Sequence, residues 1–372
     1  MEWGWRMSET TTSVWVLSAQ GVRMAFLDPI RWMSYALPLN DFGILSIEIP
    51  SSTFTNWKRD LRLVITRSAF GTQSIEGETV WLVRRIVKKL LTSGEQVTQI
   101  TAYSAAELLR RRIVAYAAGS SKADKTDKAD DMLKAIVREN MGNLATIVGR
   151  DWTSYMTVQA NTAAGASVTK QFSRRVVLDV LQEIAQDTAQ QGNPIYFDVI
   201  APSETTLEFR TYATLRGMDH SFPHGIQPIV FSPKFGNLTD IRLSTDWADE
   251  ITYVYALGQG VEDNRIVKVA GDSTRISASP FGRIERVRDA RNLSNEDSVQ
   301  SEADTYLETG KPKRTLSGII MDTSSARYGL HWRLGDKVTA EFDNEQFDCI
   351  INQIQVRIED GTETIEARLT SI

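Results

Sequence analysis

Short hydrophobic runs alternate with turn residues over the first hundred positions of the chain. The runs either alternate apolar with polar residues or are rich in β-branched residues, as in strands that bury one face. Gly21, Pro29, Gly43, Pro50 and Gly94 stand between the runs as turn signals. This spacing predicts the strands of a sandwich or barrel at residues 14–17, 22–27, 44–49, 61–66, 80–87 and 97–101.

A helical pattern replaces the strands from Ser104 onward. Ser104 and Glu107 have the spacing of a capping box, in which both side chains accept hydrogen bonds from free amides at a helix start. We therefore expect a helix that continues to about Tyr116. The mixed charges of residues 119–131 predict an exposed loop. Two further amphipathic helices are predicted at residues 130–141 and 174–190.

Strands return in the second half of the chain. They are predicted at residues 195–200, 206–212, 238–243, 251–257, 266–269, 315–321, 337–342, 347–358 and 364–369. A second capping pattern at residues 294–297 predicts a fourth helix, with its buried side formed by Val299, Ala303, Tyr306 and Leu307. Asp360 and Gly361 form a hairpin-turn signal. The order of elements predicts an α+β fold dominated by strands.

Composition limits the classes of function. The 372 residues are 42% hydrophobic, and 42 basic side chains against 47 acidic ones give a formal net charge of −5. A chain of this length and apolar content is expected to form two or three domains. No stretch interleaves Lys and Arg with aromatic residues, so specific binding of nucleic acid is not expected. We also find no signal peptide and no apolar stretch of membrane-spanning length, and expect a protein made in the cytoplasm without membrane insertion.

Residues suited to catalysis or metal binding are few. Cys349 is the single cysteine, which excludes an intrachain disulfide and a cysteine-based zinc site. His220 and His224 are separated by Pro223, which disfavours a helix carrying both, so we expect polar loop residues rather than metal ligands. The sequence lacks a nucleophile elbow, a phosphate-binding loop, a dinucleotide fingerprint and a paired-histidine zinc helix. We expect no enzymatic activity, no cofactor and no metal.

Several motifs follow one another in the C-terminal third. They include Gly258-Gln259-Gly260, Phe281-Gly282-Arg283-Ile284-Glu285, Arg288-Asp289-Ala290-Arg291, Leu330-His331-Trp332 and Leu334-Gly335-Asp336-Lys337-Val338. Near the N-terminus, Leu39-Asn40-Asp41-Phe42-Gly43 precedes an alternating run at residues 45–49. The order and spacing of these motifs resemble the Gp37-like family of siphophage tail proteins over most of the chain.

This resemblance implies a baseplate-hub-like protein with two tail-tube-like β-barrel domains. We expect the first at residues 1–102 and the second at residues 236–372, with a helical excursion at about residues 295–310. Residues 103–235 are expected to form a helix-containing α+β insertion between them.

The resemblance also implies a structural, non-enzymatic role. Three copies would form a homotrimer that presents six barrels and joins a sixfold tail tube to threefold tip proteins. The implied partners are the distal tail or tail-tube protein, the tape-measure protein and receptor-binding or tip proteins. DNA would pass through the lumen without specific binding. We expect assembly in the bacterial cytoplasm and a final location at the virion tail tip or baseplate.

One charged segment is a candidate for a structural or subunit contact. Its residues are Gly282, Arg283, Glu285, Arg288, Asp289 and Arg291. Guanidinium–carboxylate pairs among them can fix a turn or hold two subunits together. A charged strand end on the way to a helix is the simpler interpretation of the same residues.

Two other classes of function remain open. Carboxylates such as Glu341, Asp343 and Glu345 are compatible with a tail-associated cell-wall hydrolase, although sequence cannot supply the separation that catalysis requires. Nine tryptophans are compatible with a carbohydrate-binding adhesion module. Because those tryptophans are scattered among strands, we expect them to act as core and interface anchors instead.

Overall fold

The computed structural model describes residues 11–68, 79–115, 123–261, 264–291, 293–321, 323, 326–359 and 361–371. Strands dominate its secondary structure, which confirms the β-dominated α+β class. The chain forms two compact units. The large unit comprises Met1–Ile241 and Ser317–Ile372, and the small unit comprises Arg242–Leu316.

The large unit begins with a run of antiparallel strands, as the hydrophobic pattern predicts. These are β1 (Thr11–Leu17), β2 (Arg23–Leu27), β3 (Trp32–Pro38), β4 (Ile44–Pro50), β5 (Arg62–Ser68), β6 (Val80–Leu90) and β7 (Gln96–Ser104). All six strands predicted in this region are present. The sequence pattern missed β3, in which Ser34, Ala36 and Pro38 weaken the apolar run. Strand β3 depends on its neighbours, since it pairs with β4 on one side and with a C-terminal strand on the other.

A helix follows β7 as predicted, but it is a 3₁₀ helix over Ala105–Arg111, and the chain returns to a strand at Ile113, before the predicted end. The Ser104 hydroxyl accepts a hydrogen bond from the Gly43 amide at 2.8 Å. Glu107 accepts one from Arg111 at 2.7 Å. Because both side chains have these other partners, the predicted capping box does not form. Tyr116 lies outside the described residues.

The middle of the large unit combines helices with short sheets. Its elements are β8 (Ile113–Val114), β9 (Ala123–Lys128), α1 (Ala129–Met141), β10 (Met156–Val158), β11 (Ser167–Phe172), β12 (Arg175–Val176), α2 (Val177–Gln190), β13 (Ile195–Ile200) and β14 (Leu207–Ala213). Both predicted helices are confirmed. The start of α2 moves to Val177, because the two residues before it pair with β8. The apolar stripes of α1 and α2 share one core with Phe197 and Phe209.

The loop predicted over residues 119–131 is partly wrong. Residues 119–122 lie outside the described residues, but β9 is a strand that pairs antiparallel with β11 along its whole length. Most side chains of β9 are at least partly exposed, with Ala123 buried. A two-stranded sheet with a solvated face tolerates the charges that suggested a loop.

The chain then passes into the small unit. Three strands precede it: β15 (Asp219–His220), β16 (Val230–Phe231) and β17 (Leu238–Asp246). The small unit contains β18 (Tyr253–Leu257), β19 (Val267–Gly271), α3 (Ser273–Ser277), β20 (Glu285–Asp289) and α4 (Glu296–Thr309). Helix α4 confirms the predicted fourth helix, but Asn295 rather than Ser294 caps it, accepting from the Asp297 and Ser298 amides.

The C-terminal strands return to the large unit and complete its main sheet. They are β21 (Lys313–Ile320), β22 (Lys337–Phe342), β23 (Glu345–Glu359) and β24 (Thr362–Ser371). Glu359 pairs with Thr362, and Gly361 takes a φ of 74°, as a tight hairpin turn requires. Asp360, the other residue of this predicted turn, lies outside the described residues.

The main sheet joins both ends of the chain. Its strand order is β17-β21-β24-β23-β3-β4-β7-β6-β5-β1-β2, with β22 paired to β23 beside this path. Strand β23 pairs antiparallel with β3 from Gln353 opposite Pro38 to Glu359 opposite Trp32. Within the described strands, β17 and β2 end the path and do not pair with each other. This sheet is therefore an open one over the described residues.

Candidate subunit-contact surface

The candidate surface lies on the three-stranded sheet of the small unit. Strand β18 is central, β19 is antiparallel to it, and β20 is parallel to it on the other side. Helix α4 packs on one face of this sheet. On that face Val254 and Ala256 are buried together with Val299, Ala303 and Leu307 of the helix. These helix residues are three of the four predicted for its buried side, and the fourth, Tyr306, packs at the edge of the cluster.

The opposite face of the same sheet carries apolar side chains that are only partly buried, with Glu285 and Asp289 of β20 beside them. We call it the open face; it consists of Tyr253, Tyr255, Leu257, Val267, Val269 and Val287. The three valines are 50%, 43% and 61% exposed, and the side chains from β18 are half-buried. The register places Tyr255 between Val269 and Val287, so the apolar side chains are contiguous across all three strands.

Strand β18 carries the strongest sequence signal for this face. Its five residues, Tyr-Val-Tyr-Ala-Leu, are apolar or aromatic on both sides of the sheet. Strands covered by protein on only one face alternate apolar with polar residues, whereas strands covered on both faces are apolar throughout. The composition of β18 is thus that of a strand with two covered faces, although only α4 covers it here.

The predicted contact residues lie at one edge of the open face. Gly282 takes a φ of 71°, a left-handed conformation that favours glycine, in the turn before β20. The Arg283 guanidinium stacks on the Tyr253 ring at 3.9 Å and lies 3.8 Å from the Glu285 carboxylate. The cation–π contact holds a positive charge beside the aromatic part of the face.

The other predicted residues are paired within the small unit. Arg288 points to the helix side, where its Nε is 2.7 Å from Glu302. Asp289 accepts two hydrogen bonds from the Arg291 Nε, at 2.8 and 3.0 Å, in the turn after β20. The hydrogen bond from Arg291 lowers the pKa of Asp289 below its ordinary value. These groups are exposed, apart from the half-buried Glu302, so each pair stabilises the unit only slightly.

Strand β20 is an edge strand with every residue exposed. Its sequence runs Glu285-Arg286-Val287-Arg288-Asp289. Antiparallel pairing of two copies about Val287 would place arginine opposite arginine and carboxylate opposite carboxylate. Like charges in directly opposite positions are unfavourable, so this edge resists pairing with its own copy.

The charged edge can be recognised from the sequence, whereas the open face was not predicted. The apolar runs of β18 and β19 predict strands without showing which faces are covered. The full apolar character of β18 was the available signal, because it points to cover on both faces. Which of those faces α4 covers is decided by packing and could not be obtained from periodicity.

The histidine and cysteine side chains belong to the large unit. His220 is buried in β15, contrary to the expected loop position, with its Nδ1 2.5 Å from the Ile226 carbonyl oxygen. His224 is exposed. Over the described ranges, no group of three His, Cys, Asp or Glu side chains is arranged to hold a metal ion. The helices seen in those ranges are all too short or too polar to cross a membrane.

Comparison with solved structures shows that the fold is that of tail proteins. The tail protein from Neisseria meningitidis MC58 is 13% identical, with a TM-score of 0.58, 98% of this chain and 97% of that chain being covered. The 43 kDa tail protein of prophage MuSo2 from Shewanella oneidensis is 10% identical, with a TM-score of 0.59 and 98% of each chain covered. The prophage tail protein gp18 from Listeria monocytogenes EGD-e is 11% identical, with a TM-score of 0.53. The match covers 96% of this chain and 94% of that chain.

The family model of the Siphovirus ReqiPepy6 Gp37-like protein matches residues 78–369. The chain therefore belongs to this family, which confirms the resemblance seen in the sequence motifs. No curated protein sequence matches the chain.

Proposed function

We propose that this chain is a structural protein of a phage tail and forms the hub ring of the tail tip or baseplate. The open face is the observation that carries the proposal, because a neighbouring subunit would supply its missing cover. Six apolar side chains, contiguous across three strands, form the kind of patch that marks a protein contact on a soluble subunit. The tail-protein fold and the family membership support the same role.

The charge pattern of β20 favours a ring over a twofold dimer. A twofold contact that paired β20 with its copy would oppose like charges. A head-to-tail contact, in which the open face meets a different surface of the next copy, avoids this and closes into a ring when the rotation fits. We propose three copies per ring, with Arg283 and Asp289 at the rim of each contact.

In this proposal, each subunit contributes two tail-tube-like β-barrel domains, at residues 1–102 and 236–372, whose barrels would close in the assembled ring. Three subunits would match the sixfold tail tube above and the threefold tip proteins below. The partners are the distal tail protein, the tape-measure protein and receptor-binding or tip proteins. The net charge of −5 suits a channel through which DNA passes without being bound.

The test is the mass of the purified protein in solution, measured by light scattering over a concentration series with and without neighbouring tail proteins. We expect a trimer, or a monomer that becomes threefold when those partners are added. Val287→Glu places a charge among the apolar side chains of the open face, on its β20 strand, and should leave a monomer in both conditions. Val148→Glu is the matched control, because Val148 is fully exposed in the large unit.

A wild-type chain that stays monomeric with every partner would contradict the hub ring. A trimer that Val287→Glu leaves intact would show that the ring contact lies on another surface. In the first case the hydrolase and carbohydrate-binding alternatives would be tested next, on purified cell walls and on a glycan array.

A further inference from the structure

A cavity of about 330 Å³ lies in the large unit. Its walls include the rings of Trp152 and Tyr155 and the side chains of Leu108 and Met156. Arg62 also lines the cavity, although this residue is only 2% exposed. The cavity thus combines an apolar, aromatic enclosure with one buried guanidinium group.

Arg62 has an unusual set of partners for a buried charge. Its Nε donates to the Ala19 carbonyl at 3.0 Å, and its Nη1 donates to the Glu204 carbonyl at 2.8 Å. Within the part of the chain that is described, it has no carboxylate partner. Buried charges are normally paired with an opposite charge, because desolvation is otherwise uncompensated. Burial lowers the pKa of Arg62, and no neighbouring acid counteracts this effect.

The one acid in the cavity wall is already neutralised. The Oδ1 atom of Asp60 accepts from Arg84 and from Arg111, each at 2.9 Å. Arg111 also binds Glu107 at 2.7 Å. Arg62, Arg84 and Arg111 carry three positive charges. Asp60 and Glu107 carry two negative charges, which leaves one positive charge at the cavity.

A second cation lies behind the aromatic wall. The Arg112 guanidinium stacks on the Trp152 ring at 4.1 Å and donates to backbone carbonyls of Arg111 and Gly149. Among the described residues, its buried Nε has no hydrogen-bond partner. Arg112 thus adds a second positive charge next to a wall of the cavity, which favours an anion there.

We propose that this cavity binds a carboxylate attached to an apolar or aromatic group, with Arg62 as the anchor. A guanidinium group binds a planar carboxylate with charge-assisted hydrogen bonds, and the apolar walls receive the rest of the ligand. The volume is at the small end for a ligand site and suits a single aromatic side chain. Such a group is found in a small organic acid and in an acidic residue beside an aromatic one in a partner protein. The site does not depend on the hub role.

Ligand binding is measured by saturation-transfer NMR and calorimetry on the full chain. The first pair of probes is 3-phenylpropionate and its uncharged amide. The second pair is the acetylated, amidated dipeptide Phe-Asp and its counterpart Phe-Asn. We expect each acid to bind at least tenfold more tightly than its amide, the effect of one charge-assisted hydrogen bond. Tighter binding of the dipeptide acid identifies a protein partner, and tighter binding of phenylpropionate identifies a small acid.

Two variants locate the anchor. Arg62→Met removes the guanidinium group and should abolish the preference for acid over amide. Arg62→Met also removes the hydrogen bonds to two backbone carbonyls, so a loss of binding could reflect a change in the fold. The second variant is therefore Gln20→Glu, at an exposed residue of the cavity wall. Gln20→Glu should weaken acid binding severalfold by repulsion without affecting the fold. Gln191→Glu, an exposed glutamine outside the cavity wall, should change nothing.

Several results would overturn the site. Equal affinity for acid and amide, or no binding of either acid at millimolar concentration, would show that Arg62 serves only to hold the two backbone carbonyls. Equal effects of Gln20→Glu and Gln191→Glu would show that any binding occurs elsewhere. None of these outcomes bears on the mass of the assembled ring.

Discussion

At the scale of single residues, Cys349 shows how burial controls reactivity. The residue is fully buried in β23, and burial raises the pKa of its thiol to about 12. A thiol with this pKa is protonated at pH 8, and the thiolate is the reactive form. We therefore expect no labelling of the native protein by a thiol reagent at pH 8 within an hour, and complete labelling in denaturant. Rapid labelling of the native protein would contradict the placement of Cys349 in the core.

The pair of Asp130 and Lys134 is the most deeply buried ion pair on α1. The Lys134 Nζ is 2.7 Å from Asp130 Oδ1 and also donates to the Ala160 carbonyl at 2.7 Å. Burial by itself would raise the pKa of Asp130. Hydrogen bonds from Lys134, Thr211 and Thr162 outweigh it and hold that pKa well below its usual range.

Removing one partner of this pair should be costly. Lys134→Met leaves the Asp130 carboxylate without its cation, and we expect the free energy of unfolding to fall by about 3–5 kcal/mol at pH 7. Denaturant unfolding followed by tryptophan fluorescence measures the loss. Lys128→Met, at an exposed position before α1, is the control and should change stability by no more than about 0.5 kcal/mol. A small effect of Lys134→Met would mean that the pair is solvated.

The same pair predicts a dependence on pH. A carboxylate whose pKa is lowered by folding stabilises the folded state above its unfolded pKa, about 3.9, and loses that contribution as pH falls through the folded value. The stability advantage of the wild type over Asp130→Asn should therefore be full at pH 7 and smaller at pH 3. Unfolding curves of both proteins at the two pH values test this. If the stability advantage of the wild type grew on acidification, the predicted direction of the pH dependence would be wrong.

At the scale of elements, two neighbouring residues are candidates for the N-cap of α4. Sequence spacing favoured Ser294, whereas the structure assigns the cap to Asn295, whose Oδ1 accepts from Asp297 and Ser298 at 2.8 and 3.1 Å. Asn295→Ala should destabilise the helix by about 1 kcal/mol, and Ser294→Ala should have little effect. Hydrogen exchange of the α4 amides measures both. Equal effects of the two substitutions would contradict the assignment of Asn295 as the N-cap.

The two capping patterns show what local spacing can and cannot predict. Near residue 295 the local pattern predicted a helix start to within one residue. At Ser104 the same type of pattern failed, because Gly43, more than sixty positions away, donates its amide to the serine hydroxyl. In the structure the serine hydroxyl is turned to this distant amide and makes no capping hydrogen bond to the helix start.

At the scale of the whole molecule, the small unit is one continuous segment between β17 and β21, which are neighbours in the main sheet. Replacing residues 247–312 by a short Gly-Ser linker should leave the large unit folded, since that unit has its own core. We expect the cooperative melting of the large unit to persist and the trimer to be lost. Circular dichroism and light scattering check the two outcomes separately. A trimer without the small unit would move the ring contact to the large unit.

The sequence by itself determined the order of strands, helices and strands, the apolar stripes of α1, α2 and α4, and the family. These follow from periodicity and from motif spacing, which are properties of neighbouring residues. Tertiary structure alone decided that β3 pairs with β23, which face of β18 α4 covers, and that Arg62 is buried at a cavity without a carboxylate paired to it in the described part of the chain. Each of these depends on residues far apart in the chain, and their meeting is set by how whole elements pack.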